Sequence, residues 1–282
     1  MEIKSLSGID FDVIFTAFEK AFADYELQQD KTQLRIMLKR RGFDPGLSFA
    51  AFDNGRILGF TFNGIGEFEG IPTAYDTGTG TLKEFRGQGL ATRIFEYSIP
   101  HLKAVGIRQY LLEVLQHNTK AVSVYRNLGF EISREFNYFI QENSKVRNDQ
   151  EIRETFSVRP ITFGQVTSAQ EYWDFYPSWQ NSFDSIRRSE ADFVCLGVFE
   201  NERLVGYCVF EPVSGDITQL AVDKGHRRRG AASLMLREMT GLNLNNKIKA
   251  VNTDVTCDPV TEFMMAKNIA LQGKQFEMIR KL

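Results

Sequence analysis

The chain has 282 residues, of which 34 are basic and 36 acidic, so its formal net charge is −2. A nearly neutral chain has no overall field that attracts a phosphate backbone, which excludes nucleic acid as the expected partner. Hydrophobic residues make up 43% and charged residues 25%, as in soluble globular proteins. The length favours two domains of about 140 residues each.

The cysteines and the apolar segments indicate the cellular compartment of the protein. Cys195, Cys208 and Cys257 are odd in number and widely spaced, so we expect buried thiols rather than a disulfide framework or a metal site. No run approaches the roughly 18 apolar residues of a membrane span, and the acidic start of the chain does not resemble a signal peptide. These features predict a cytoplasmic protein with no membrane partner and no metal.

The first predicted elements are two helices and a hairpin. Apolar residues recur at helical spacing within residues 11–25, and residues 32–40 continue that pattern. Residues 47–52 then alternate as a strand, residues 53–55 form a turn, and residues 57–60 begin the return strand.

The same hairpin occurs again in the second half, where residues 195–199 and 204–207 flank a turn. Arg56 and Arg203 hold matching positions. Each hairpin is followed by another strand, a basic turn that contains glycine, and an amphipathic helix, at residues 91–102 and 231–242. Two copies of one unit in one order explain this most simply.

Two tandem domains follow from the repeat. We predict residues 1–145 and 155–282 as the domains, with the polar residues 141–154 forming the connection. The order of helices and strands in each copy predicts an α/β fold, a mixed sheet flanked by helices.

The turn between a strand and a helix carries the chemistry. In the first copy it reads Arg-Gly-Gln-Gly-Leu-Ala at residues 86–91, and in the second Arg-Arg-Arg-Gly-Ala-Ala at residues 227–232. The first turn of a helix has unpaired N–H groups and a favourable macrodipole, so an anion can bind there. One such turn alone is a weak signal, but its recurrence after the same hairpin strengthens it. Nucleotide-binding motifs of the Walker or dinucleotide type are absent from the sequence.

Residues 79–92 resemble the signature turn of the GNAT superfamily of N-acetyltransferases, Arg/Gln-x-x-Gly-x-Gly/Ala. The resemblance covers nearly the whole chain as two copies, and it implies acetyl-CoA as co-substrate with its pyrophosphate on the amides of the turn. The implied coenzyme contacts in the first copy are Leu82, Arg86, Gly87, Gln88, Gly89, Leu90, Ala91 and Thr92. Those implied in the second copy are Val222, Arg227, Arg229, Gly230 and Ala232.

Residues 118–130 resemble a second element of the family, Asn-x-x-Ala-x-x-x-Tyr-x-x-x-Gly-Phe. By this resemblance Asn118 is a helix cap and a coenzyme contact, Gly129 supplies the left-handed turn after the helix, and Phe130 returns to the core. Tyr125 stands where many relatives protonate the departing thiolate, and a phenol is an acid suited to that step. The alternative for Tyr125 is a half-buried packing residue.

The second copy departs from this element. Met264 stands where Tyr125 would fall, and Asn268 stands where Gly129 would. Methionine has no proton to give, so the first copy is predicted to be catalytic. The second copy either binds coenzyme A without turnover or is a structural partner.

The base and the acceptor are less defined. Asp76 and Glu113, on strands flanking the presumed cleft, are the catalytic carboxylate candidates, and ordinary strand-end acids are the alternative. His117 is expected to be a loop residue. Tyr172, Trp173, Phe175, Tyr176 and Trp179 form an aromatic cluster, for which we favour a contact between domains over a substrate pocket.

The sequence therefore predicts an N-acetyltransferase in which a primary amine of a small molecule or peptide attacks acetyl-CoA directly. The alternatives are a non-catalytic acyl-CoA sensor or interaction module, and a pair of domains that keep the fold without a ligand. A homodimer stays open.

Overall fold

A computed structural model describes residues 1–24, 28–148 and 155–282. They form two compact units, Met1–Ser133 with Phe276–Leu282, and Arg134–Gln275. Tyr25 of the predicted first helix and residues 149–154 of the predicted connection lie outside the described residues.

The first unit follows the predicted order of elements. In chain order it contains β1 (Glu2–Ser5), α1 (Phe11–Ala21), α2 (Lys31–Arg41), β2 (Phe49–Asp53), β3 (Arg56–Phe68), β4 (Ile71–Thr81), α3 (Leu90–Ala104), β5 (Gln109–Leu115), α4 (Thr119–Asn127) and the start of β6 (Glu131–Glu142).

The second unit repeats that order with shorter helices before its hairpin. After the rest of β6 it contains β7 (Phe156–Pro160), α5 (Phe163–Thr167), α6 (Phe183–Arg188), β8 (Val194–Glu200), β9 (Arg203–Glu211), β10 (Asp216–Val222), α7 (Ala231–Leu242), β11 (Lys247–Asp254), α8 (Asp258–Ala266) and the first part of β12 (Ala270–Lys281).

Each unit has a mixed sheet. The first has the strand order β1-β2-β3-β4-β5 followed by the last residues of β12, with antiparallel pairs from β1 to β4 and a parallel pair β4-β5. The second has the order β6-β11-β10-β9-β8-β7. Among its described strand pairs, β10-β11 is parallel and the others are antiparallel. This architecture confirms the predicted α/β fold class.

The two hairpins have the same turn. Asn54 and Gly55 have φ angles of 49° and 79°, and Asn201 and Glu202 have φ angles of 47° and 66°. Two successive positive φ angles define the turn whose twist matches that of the flanking strands. The repeated hairpin of the sequence is therefore confirmed.

Alternate residues of a strand face opposite layers, and β2 shows both layers of the first unit. Phe52 packs into the core beneath α1 and α2, where it meets Phe18 and Phe60. Phe49 packs on the other face with Leu90 of α3. The apolar stripe that predicted the first helix thus faces the sheet.

The last residues of the chain belong to the first unit. Met278 has no exposed surface and packs with Ala74 and Tyr110. The N–H of Leu282 donates to the Arg108 carbonyl at 2.8 Å. Residues 276–282 therefore complete the core of the first unit.

The aromatic cluster early in the second copy lies largely inside that unit. Tyr172 and Trp173 pack with Phe163 and Tyr207, and Trp179 is only 1% exposed. Tyr172 and Trp173 therefore border one hydrophobic cluster of the second unit, whose larger core cluster contains Met235 and Met239 of α7.

Three expectations concern what the chain contains. Cys208 and Cys257 are buried free thiols, as predicted, whereas Cys195 is a free thiol that is only partly buried. Within the described ranges, no group of three or more His, Cys, Asp or Glu side chains could hold a metal ion. None of the helices in those ranges is both long enough and apolar enough to span a bilayer.

Candidate active site

The pairing between β4 and β5 ends before either strand does. Their parallel ladder covers three residue pairs and ends at Tyr75 and Leu111, although β4 continues to Thr81 and β5 to Leu115. Thr77 is an extra residue in β4, since the register with β3 shifts on either side of it. A bulge bends its strand. We call the region beyond Tyr75 and Leu111, where β4 and β5 are no longer paired, the cleft.

The turn at the end of β4 is open above its backbone. Gly87 and Gly89 have φ angles of 76° and 69°. A Cβ atom at either position would have no heavy atom within 4 Å. Glycine adopts this left-handed backbone without strain and leaves room for a ligand close to the main chain.

The N-terminus of α3 follows directly. Its N-cap is Gly89, and no side chain from the described part of the protein caps the helix. The N–H groups of Leu90, Ala91 and Thr92 belong to the first turn, where a helix has no acceptors of its own. This end of α3 is therefore suited to an anion.

The polar side chains of the turn bond within the protein. Arg86 donates through Nε to the Thr81 carbonyl at 3.1 Å and through Nη2 to the Ala21 carbonyl at 2.8 Å, and its Nη1 lies 3.1 Å from Asp24 Oδ2. Gln88 Nε2 donates to the Glu84 carbonyl at 3.2 Å. Both side chains therefore hold the shape of the turn.

The backbone of Leu82 also bonds within the first unit. Its N–H donates to the Leu58 carbonyl at 2.9 Å, and its carbonyl accepts from the Phe85 N–H at 2.8 Å. Leu82 thereby fixes where the strand ends and the turn begins.

Helix α4 has the predicted caps. Asn118 Oδ1 accepts from the Ala121 N–H at 3.3 Å, Gly129 has a φ of 81°, and Phe130 is buried. These three local predictions are confirmed. The Phe130 N–H donates to the carbonyl of Tyr125 at 3.0 Å, which fixes the backbone of Tyr125 in the last turn.

The structure brings Tyr125 and Asp76 together. The Tyr125 hydroxyl donates to Asp76 Oδ2 at 3.2 Å, and the Asp76 carboxylate also accepts from Thr79 Oγ1 and the Gly78 N–H, each at 2.9 Å. Asp76 is 8% exposed. Burial raises the pKa of Asp76 from 3.8 to about 6, against the lowering effect of the hydrogen bonds from Thr79, Tyr125 and Gly78.

Glu113 lies apart from this pair. Its Oε2 accepts from the Tyr75 hydroxyl at 3.1 Å. Tyr75 and Asp76 are successive strand residues, so their side chains point to opposite faces of the sheet. Burial, and then the charge of Glu113, raise the pKa of Tyr75 well above its ordinary value. His117 is exposed in the loop after β5, as predicted.

Two further polar residues near Asp76, which are Asn63 and Tyr110, were not identified from the sequence. Asn63 is fully buried on β3, where its Oδ1 accepts from the Tyr110 hydroxyl and its Nδ2 donates to the Leu47 carbonyl at 2.6 Å. Burial raises the pKa of Tyr110 well above its ordinary value. The available signal was the only amide side chain in β3, since a buried amide needs hydrogen-bond partners.

The second copy repeats the local geometry of the turn. Arg227 Nε donates to the Val222 carbonyl at 3.0 Å, as Arg86 does to Thr81. The Asp223 N–H donates to the Val205 carbonyl at 2.9 Å, so Asp223 takes the place of Leu82. Val222 therefore matches Thr81.

A cavity of about 670 Å³ lies at this second turn. Val222, Arg227, Gly230 and Ala232 line it, together with the first residues of α8. No side chain in the described ranges caps α7, whose N-cap Gly230 has a φ of 98°. Arg229 instead forms an ion pair with Glu200.

The polar pair of the first unit has no counterpart in the second. Ile217 precedes the bulge of β10 as Asp76 precedes that of β4, and Met264, 1% exposed, takes the place of Tyr125. The backbone carbonyl of Asn181 accepts from Gln219 Nε2 at 2.7 Å, and Asn181 Nδ2 donates to the Val251 carbonyl at 2.9 Å. The chain itself thus bridges β10 and β11 where the first unit has its cleft.

A parallel pair of strands and a following helix with no side-chain cap among the described residues, found twice, define a protein of two related α/β folds. The sequence profile of the acetyltransferase (GNAT) family matches residues 12–130 and 157–258, and the chain belongs to this family. The predicted resemblance is confirmed.

Relatives of known name match one part of the chain. The mycothiol acetyltransferase of Geodermatophilus obscurus is 31% identical over 131 residues, which cover 44% of this chain and 42% of that protein. N-alpha-acetyltransferase 30 of Schizosaccharomyces pombe is 31% identical over 105 residues, which cover 36% of this chain and 70% of that protein. The chain thus matches about two fifths of the mycothiol acetyltransferase.

A solved structure matches both copies at once. The tandem GNAT protein from the clavulanic acid biosynthesis pathway, determined without AcCoA, has a TM-score of 0.73 and 11% identity, and the match covers 99% of this chain and 98% of that one. At this identity the likeness concerns the fold, which is that of a tandem GNAT protein.

Proposed function

We propose that the protein transfers an acetyl group from acetyl-CoA to a primary amine, and that the first copy, residues 1–145, carries the reaction. The observation behind this assignment is the hydrogen bond between Tyr125 and Asp76 in a cleft that begins at the open N-terminus of α3. The second copy, residues 155–282, has Met264 and Ile217 at the same places.

The residues of the first turn suit the coenzyme. The diphosphate binds the N–H groups from Gly87 to Thr92, where the space above the glycines is open and the helix dipole favours negative charge. The guanidinium of Arg86 adds positive charge behind the turn. The pantetheine arm then follows the gap between β4 and β5 towards Tyr125, and Asn118 lies at the start of α4 beside it.

The chemistry needs two proton transfers. As the amine forms its bond to the carbonyl carbon, it gives up a proton, which the Asp76 carboxylate accepts, because a group with a pKa of about 6 is mostly ionised at neutral pH. As the carbon–sulfur bond breaks, Tyr125 gives its proton to sulfur. The proton on Asp76 then returns to the phenolate along the existing hydrogen bond, which restores both groups.

The acceptor is an amine of a small molecule or a peptide. The names of two relatives give these two classes, a small thiol compound and a protein N-terminus. Glu113 on the other face of the sheet is the carboxylate that an incoming ammonium group would meet there.

A panel of amines tests the proposal. Purified protein is incubated with acetyl-CoA and cysteine, glucosamine, spermidine or a tetrapeptide with a free N-terminus, and the N-acetylated product is measured by mass spectrometry. Tyr125→Phe should lower kcat by about 10²-fold or more, with the KM for acetyl-CoA little changed, because the acid acts only in the transition state.

The control is the matched position of the second copy. Met264→Leu conserves volume and should leave kcat unchanged. A wild-type protein that turns over no amine contradicts the transferase assignment, and unchanged turnover in Tyr125→Phe contradicts the role of Tyr125.

A specific observation favours a second candidate function for the second copy. Its cavity of about 670 Å³ lies at an open helix N-terminus, whereas Met264 cannot supply a proton. We propose that this copy binds acyl-CoA without turning it over.

A further inference from the structure

The turn after α4 controls where Tyr125 stands. The Gly129 N–H donates to the Arg126 carbonyl at 2.9 Å, and the Phe130 N–H donates to the Tyr125 carbonyl at 3.0 Å. This pair of bonds closes the helix in a defined left-handed turn. The Phe130 ring also packs edge-on against the Tyr125 ring, with centroids 5.8 Å apart. A shift of the turn therefore moves the Tyr125 side chain.

Arg280 holds this turn in the first unit. Its Nη1 donates to the carbonyl of Leu128, the C-cap residue of α4, at 2.5 Å. A Cβ atom built on Gly129 would lie 3.8 Å from Arg280 Nε, so the arginine passes over the turn. A cation at a helix C-terminus is favourable because the dipole is negative there.

The segment that carries Arg280 is itself fixed. Met278 is buried in the core, and the N–H of Leu282 donates to the Arg108 carbonyl. Ser133 Oγ donates to Glu277 Oε1 at 2.8 Å. With anchors on both sides, the guanidinium is positioned by the backbone of the last strand rather than by a mobile tail.

The second unit has a matching arrangement around α8. The Arg147 N–H donates to the carbonyl of Lys267, the C-cap residue of that helix, at 3.0 Å. Gln141 Nε2 donates to the next carbonyl, that of Asn268, at 2.7 Å. In each unit, a segment distant in sequence holds the turn after the helix. Only in the first unit does the helix carry a tyrosine.

We propose that Arg280 is a positioning residue of the transferase site, which fixes the turn after α4 and thereby the hydroxyl of Tyr125. The inference rests on the proposed function. It makes the end of the chain part of a site whose other residues lie in the first half of the sequence.

The experiment combines kinetics with amide hydrogen exchange. Arg280→Met removes the donors and keeps most of the length, and Arg280→Lys keeps a charge and a donor. With acetyl-CoA and the best acceptor among cysteine, glucosamine, spermidine and the tetrapeptide, Arg280→Met should lower kcat about tenfold with the KM for acetyl-CoA unchanged. Arg280→Lys should recover part of that loss, and the exposed neighbour Lys281→Met should match wild type.

The decisive comparison is made in the Tyr125→Phe background. If Arg280 acts through Tyr125, adding Arg280→Met there should cause no further loss of kcat, because the two changes are not additive. Exchange of the amides at the end of α4, measured by mass spectrometry, should be faster in Arg280→Met whether or not the sample is active.

Each other result overturns the inference. Normal kcat in Arg280→Met, or an equal loss of kcat with and without Tyr125, rules out positioning of the phenol. Unchanged exchange of the amides at the end of α4 rules out that Arg280 stabilises the turn. A wild-type protein without turnover overturns the proposed function and this inference together, whereas an active wild type with an unaffected Arg280→Met overturns only the inference.

Discussion

The buried position of the Asp76 carboxylate lowers the free energy of unfolding at neutral pH. Asp76 is buried, and burial raises its pKa to about 6. Thr79, Gly78 and Tyr125 each donate a hydrogen bond to it, but these do not offset the loss of water. Groups with such shifts concentrate at functional sites, which is why we assign the proton relay here.

Replacing Asp76 with asparagine should separate stability from function. The pKa of Asp76 is higher in the folded protein than in the unfolded chain, so its contribution to stability is fully present at low pH and is lost as pH rises from about 4 to about 6. Asp76→Asn should therefore raise the free energy of unfolding at about pH 7 by roughly 1–3 kcal/mol, and this gain should vanish near pH 4. Denaturant titrations at the two pH values measure it.

Turnover should change in the opposite direction. In the wild type kcat should rise with pH as Asp76 ionises near pH 6, and Asp76→Asn should lose both that dependence and most of kcat. Glu67→Gln, on an exposed part of β3, is the control and should follow wild type. Equal activity of Asp76→Asn and wild type would exclude Asp76 from the relay.

Residue roles could be predicted where they depend on local chemistry. The cap residue Asn118 accepts a hydrogen bond from an amide three residues away, and Gly129 adopts the positive φ that ends the helix. Both roles depend on neighbouring residues, so the sequence alone predicts them. The bond between Asp76 and Tyr125 joins residues 49 positions apart, and that between Leu128 and Arg280 joins residues 152 apart. Such pairs depend on how strands and helices pack, which no local pattern contains.

At the scale of elements, α3 and α7 present comparable open N-termini. Neither has a side-chain cap from the described residues, and both begin after a glycine with positive φ. In the first unit the turn leads to the cleft where Tyr125 bonds to Asp76, whereas in the second it leads to Met264 and the bridge through Asn181. The two elements should therefore bind the same kind of anion with different consequences.

A matched pair of substitutions tests this comparison. Ala91 and Ala232 are the second residues of α3 and α7, and both are half-buried. A glutamate at either position should stabilise its helix by about 0.3–1 kcal/mol through the dipole. It should also weaken coenzyme binding at that site by about tenfold or more, because like charges placed together cost several kcal/mol.

Calorimetric titration with coenzyme A and the acetyl-transfer assay distinguish the two copies. Ala91→Glu should weaken binding at one site and lower kcat/KM for acetyl-CoA, and Ala232→Glu should weaken binding at the other site and leave kcat/KM unchanged. Two intact sites in Ala91→Glu would mean that the diphosphate does not bind the N-terminus of α3. A single site in wild type would contradict binding by the second copy.

Elements with strong periodicity were predicted, and irregular ones were not. The apolar stripe gave the first helix, and the Asn-Gly turn gave the first hairpin, because periodicity and turn chemistry are local. The short edge strand β1 has four residues of which only Ile3 is apolar, so it carries no run of alternating apolar residues that the sequence could show. The bulge at Thr77, which opens the cleft, depends on the register between β3 and β4.

At the scale of the whole molecule, the two compact units do not coincide with the two halves of the sequence. The first unit takes Phe276–Leu282 from the end of the chain, and the second contains most of β6 from the first copy. A sequence repeat shows where similar segments recur, but it does not show in which sheet a strand pairs. Neither unit can therefore complete its core from one half of the sequence.

Shortening Met278 should destabilise the first unit although it lies in the second half of the sequence. Its side chain has no exposed surface, and it packs with Tyr110 and Phe95. Met278→Ala leaves a cavity and should lower the free energy of unfolding by roughly 2–5 kcal/mol. The matched control is Met265→Ala, since Met265 is 57% exposed and its removal leaves no cavity. Hydrogen exchange locates the effect: amides of α3 and β5 should lose protection in Met278→Ala, whereas loss confined to residues 155–275 would mean that the end of the chain supports the second unit instead.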